Sequence, residues 1–202
     1  MLKSLFLTFC LLPLVGCAGR GSLPKTFPSD VKNWDGKLYR VEFLQDFNIT
    51  DYSRVRVDAV TSTASLPSAD SNTYEPVQKV IARATDHFTA GVRNAMPEKK
   101  VDNDYGSSGK TLIIHTSVTE LDPGSVALRF WVSFGAGASK TEMKGEVTDA
   151  ATGRTLLRFE STDKDMALGS LGIEGYEGLL AGSIERCGKS VGGLLNAFTP
   201  VK

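Results

Sequence analysis

The chain has 202 residues, with 23 Lys and Arg against 23 Asp and Glu and so no net charge at neutral pH. A chain without a basic field has little to attract a nucleic-acid backbone or an anionic lipid surface, which excludes electrostatic recruitment as its main function. Its 41% hydrophobic content is that of an ordinary globular protein and can fill the core of one domain.

Lys3 precedes an apolar run from Leu5 to Gly16, broken only by Thr8 and Pro13 and ending in Leu14-Val15-Gly16-Cys17. One positive charge, a short apolar stretch and a small-residue cleavage site read as a secretory signal. The run falls short of the ~20 residues that a membrane-spanning helix needs. A cysteine directly after Leu-Val-Gly resembles a bacterial lipoprotein signal. That resemblance implies cleavage before Cys17, diacylation of its thiol and a palmitate-bearing lipid anchor. Ala18 stands where the inner-membrane retention signal resembles an Asp, which implies the outer membrane, with the protein facing the periplasm. On this reading 1–16 is signal peptide, 17–25 is acylated Cys and flexible tether, and 26–202 is a single α+β domain. Cys10 is discarded and Cys17 acylated, so Cys187 is left without a disulfide partner.

Residues 26–50 show no clear period, though Trp34, Leu38, Val41 and Phe43 are too apolar for a free linker, and an irregular arm is expected. Val55, Val57 and Ala59 alternate with Arg54, Arg56 and Asp58, the pattern of a half-buried strand. A Ser/Asp/Pro-rich loop over 62–73 follows. Val77, Val80, Ile81, Ala84, Phe88 and Val92 then recur at helical spacing and predict one amphipathic helix ended before Pro97. After a charged loop over 98–109, Thr111 to Leu121, holding Leu112, Ile113, Ile114 and Val118, form a strand closed by Asp122-Pro123-Gly124. Residues 126–134 fit either a strand or a short helix, and Gly135-Ala136-Gly137-Ala138 breaks any regular element. Strands near 139–149 and 154–162 make a hairpin about a turn from Asp149 to Gly153. The chain closes on a glycine-punctuated helix from Tyr176 to Phe198, in which Gly178, Gly182 and Gly192-Gly193 suit either close helix packing or, with Cys187, an oligomer contact. The fold class is α+β: an antiparallel or mixed sheet of about four to five strands with two main helices packed on it.

From Pro123 to Leu157 the chain resembles a group of Gram-negative envelope lipoproteins of uncharacterised function. The shared features are Pro123-Gly124-Ser125, Ala127-Leu128-Arg129-Phe130, Phe134-Gly135-Ala136-Gly137 and Asp149-Ala150-Ala151-Thr152-Gly153. The resemblance implies an envelope lipoprotein and brings no catalytic residues with it.

Chemistry-bearing motifs fail on context. Ser-x-x-Lys occurs at Ser22, Ser107 and Ser161, each in a loop or at a strand end rather than at a helix start. Gly109-Lys110-Thr111 lacks the earlier glycine of a phosphate loop, and Gly137-Ala138-Ser139 lacks the second glycine of a nucleophile elbow. His87 and His115 are expected to be structural or surface residues. No His-Glu-x-x-His or paired-cysteine pattern occurs, so neither metal nor cofactor is expected. What remains is the aromatic segment with its glycine break, in which Phe130, Trp131, Phe134, Gly135 and Gly137 are candidate partner-binding residues. Its alternative is core strand and turn.

The expected function is that of a lipid-anchored, non-catalytic accessory or assembly component that binds another envelope protein or self-associates. The alternative class is a module holding a small apolar or lipid ligand between sheet and helices. An enzyme is the reading with least support, since acid, base and nucleophile are nowhere assembled in the sequence.

Overall fold

The computed structural model describes residues 30–31, 35, 37–104, 109–125, 137–165 and 175–197. Its strands are β1 (Asp30–Val31), β2 (Leu38–Phe43), β3 (Arg54–Val57), β4 (Thr61–Ser62), β5 (Lys100–Asp102), β6 (Thr111–Asp122), β7 (Ser139–Asp149) and β8 (Thr155–Asp165). The helices are α1 (Tyr74–Ala82), α2 (Ala84–Ala95) and α3 (Gly175–Ala197). A single mixed sheet runs β1-β2-β8-β7-β6-β3-β5, and β4 pairs with β6 beyond the end of β3. The pairs β3–β5, β3–β6 and β4–β6 are parallel and the rest antiparallel.

The α+β class expected from the sequence is the one found, but the four to five strands and two main helices are too few. The supposed arm holds β1 and β2. Leu38 and Val41 are both fully buried although three residues apart, because the register against β8 shifts between Leu38 and Arg40. An irregularity of that kind removes the period-two signal. The three-residue β5 falls inside the expected charged loop, with Val101 its one buried residue. The predicted single helix is two, broken at Arg83 (φ −111°, ψ 10°). The apolar stripe continues across the break through Val80, Ala84 and Phe88, so spacing alone does not reveal it.

All three helices cover one face of the sheet. Phe88, Val92, Leu180, Ile184 and Leu194 meet Val57, Ile114, Met143, Leu157 and Phe159 in one continuous buried cluster. Each such side chain contributes roughly 1.5–3 kcal/mol by leaving water. Gly145 sits opposite Phe159 in register, and a Cβ there would lie 2.5 Å from the tip of that ring. The missing side chain makes room for the aromatic one.

The β7–β8 hairpin turns as expected. Asp149 Oδ1 accepts the N–H groups of Ala151 (2.8 Å) and Thr152 (3.0 Å), and the Gly153 N–H donates to the Asp149 carbonyl at 2.8 Å. The Tyr52 hydroxyl donates to Asp149 Oδ2 at 2.7 Å, which ties the turn to the segment that leads into β3. Burial raises the Asp149 pKa, but Tyr52 and the two turn amides more than reverse that and hold it below 3.8. Gly153 has φ +67°, and a Cβ added there would meet nothing within 4 Å, so strain from a side chain at this position is purely backbone. Gly153→Ala should destabilise by about 1 kcal/mol, the left-handed penalty less the smaller entropic gain in the unfolded chain. A urea midpoint at or above that of the wild type would refute the strain argument.

Candidate functional site

Of the aromatic-segment candidates, Phe130, Trp131, Phe134 and Gly135 lie outside the described residues, as does Cys17. Gly137 is described and forms one half of a tight neck. Asp122 Oδ1 accepts the Gly124 N–H at 2.7 Å, and the Ser125 N–H donates to the Gly137 carbonyl at 3.1 Å. Gly124 and Gly137 have φ of +69° and +76°, and a Cβ on Gly124 would lie 2.3 Å from Gly137 O. Glycine is needed here both for the backbone angle and for the close approach. The last described residue before the aromatic segment is thus bonded to the first one after it, beyond the paired ends of β6 and β7.

The second arrangement lies on the sheet face that no helix covers. Lys140, Glu142, Lys144 and Glu146 project there from β7, as their alternation predicts, and His115 and Ser117 from β6. Register sets charges of opposite sign side by side. Glu146 stands between His115 and Arg158, and Lys144 between Ser117 and Glu160, with Arg40 next. The pairs are loose: Arg158 Nε to Glu146 Oε2 is 3.6 Å, Arg40 Nη1 to Glu160 Oε1 3.7 Å and Lys144 Nζ to Glu160 Oε1 3.9 Å. Exposed pairs of this kind are each worth at most ~1 kcal/mol. Lys140 is held more closely, by Glu120 (2.6 Å) and Glu142 (2.8 Å), and both hydrogen bonds raise its pKa. Burial, followed by the hydrogen bond with Glu160, pushes the Tyr39 phenol up to about 12.

A cleft of about 520 Å³ opens on this face between Asp58, Thr61, His115, Ser117, Lys144 and Arg158. His115 Nδ1 lies 3.0 Å from Asp58 Oδ2, and Arg56 Nε donates to Asp58 Oδ1 at 2.9 Å. A carboxylate beside an imidazole is the start of an acid–base pair. The other ring nitrogen, Nε2, is engaged by Thr148 Oγ1 at 3.2 Å. Thr148 is a buried residue and does not line the cleft. His115 thus stitches the β3–β4 connection to β6 and β7. Its position on the face with Ser117 is legible from strand alternation, whereas its pairing with Asp58 depends on β3 lying parallel to β6.

Among the described residues no cluster of His, Cys, Asp and Glu could hold a metal ion. Cys187 is wholly buried, and burial pushes its thiol up to about 12, which makes it a poor nucleophile. Among the described residues, no helix is long and apolar enough to cross a membrane.

These observations define a sheet covered by helices on one side, with a charged, self-paired surface on the other and a glycine neck at one end. The family model for the domain of unknown function DUF4410 matches residues 54–169, and the chain belongs to that family. The match takes in the whole Pro-Gly to Thr-Gly stretch that carries the resemblance to a family of uncharacterised function. No curated protein matches the chain. Among solved structures, a PelC dodecamer from Paraburkholderia phytofirmans is similar at 10% identity and a TM-score of 0.43, covering 74% of this chain and 96% of that one. The protein XCC0632 from Xanthomonas campestris, of family DUF330, is similar at 9% identity and a TM-score of 0.38, covering 71% and 81%.

Proposed function

We propose that this protein is a lipid-anchored component of the outer membrane, facing the periplasm, that acts without catalysis by docking another envelope protein. Docking is through Phe130, Trp131, Phe134, Gly135 and Gly137. The observation that carries the reading is the neck: the Ser125–Gly137 hydrogen bond brings together the two ends of a segment rich in aromatic residues. Such a segment combines a large apolar surface with backbone that a partner can approach closely. The non-catalytic part is supported by the hydroxyl on His115 Nε2, which belongs to the buried Thr148 and lies outside the lining of the cleft. The anchor rests on Leu14-Val15-Gly16-Cys17 and Ala18.

Two experiments test the two halves. Cys17→Ser should abolish incorporation of a labelled fatty acid and leave unprocessed or misplaced protein. Wild-type protein recovered in the inner membrane or the soluble periplasm would overturn the placement. Trp131→Ala should weaken crosslinking to the envelope partner that wild type captures, with the melting temperature nearly unchanged. A loss of ~3–5 kcal/mol in stability would instead mark Trp131 as core and remove the docking surface.

A further inference from the structure

We draw no further inference here: the strongest candidate, the cleft around His115, Asp58 and Ser117 on the uncovered sheet face, has its charges paired among themselves, and nothing in the structure shows what covers it.

Discussion

Alanine at Gly91 or Gly188 is expected to lower the stability of the protein by about 2 kcal/mol, whereas alanine at Gly193 should raise it by up to ~1 kcal/mol. All three glycines lie inside helices, where each forgoes ~1 kcal/mol relative to Ala. What separates them is the neighbour. A Cβ on Gly91 of α2 would lie 2.0 Å from Glu185 O and 2.7 Å from Lys189 N, both backbone atoms of α3. A Cβ on Gly188 would lie 2.3 Å from the Phe88 carbonyl oxygen of α2. Backbone cannot swing aside as a side-chain tip can, so the two helices must separate and Phe88, fully buried, must move with them. Overpacking of this kind costs ~1–3 kcal/mol or more, which exceeds the propensity gain. Around Gly193 there is nothing within 4 Å, and only the gain remains. Urea midpoints of the three variants check this. A midpoint at or above that of the wild type for the Gly91 or Gly188 variant would mean that the helix contact is not as close as described.

The same comparison shows what could be read from the chain. A glycine-punctuated closing helix was legible, and so was the idea that close packing would explain its glycines. Which ones pack was not, because that depends on how α2 crosses α3: Gly192 meets Ala95 and Val92, while Gly182 has only the Arg186 guanidinium at 3.3 Å. The β7–β8 hairpin was legible up to the end of β8, which runs on to Asp165 instead of stopping at 162, since alternating charge and the Asp149–Gly153 turn are both local signals. Strand β2 was hidden by an irregularity that places Leu38 and Val41 on one face three residues apart, and β5 by its brevity. At the candidate site, the outward face of His115 followed from alternation in β6. Asp58 became its partner only through the parallel pairing of β3 with β6, two segments far apart in sequence, for which no local pattern exists.

Asp163→Asn is expected to cost about 3 kcal/mol at neutral pH and to flatten the loss of stability in acid. No sequence pattern singles out this residue, yet its side chain is only 1% exposed and gathers three partners. Ser183 Oγ donates to Oδ2 at 2.7 Å, Arg186 donates to the same oxygen from Nε (3.0 Å) and Nη2 (2.7 Å), and Lys37 Nζ is bonded to Oδ1. The carboxylate therefore fastens α3 and the entry to β2 onto β8. Removing one member of a buried pair costs ~3–5 kcal/mol, and the lower end applies here because Lys37 and Arg186 are partly exposed and Arg186 keeps Asp165 at 3.0 Å. Burial pushes the Asp163 pKa up, but the bonds from Arg186, Lys37 and Ser183 outweigh burial and hold it below the ordinary 3.8. A depressed folded-state pKa gives stability that is complete above the unfolded value and is lost as pH falls through the folded one. Wild type should thus lose the Asp163 contribution only below about pH 4, whereas the Asn variant lacks it at every pH. The gap between their urea midpoints should be widest at about pH 7 and close towards about pH 2. Asp35, Asp102 and Asp149 are also held low, but they are common to both proteins and drop out of the difference. A gap that stays constant across that whole range would show that the Asn variant loses packing rather than charge, and that Asp163 is not the clamp.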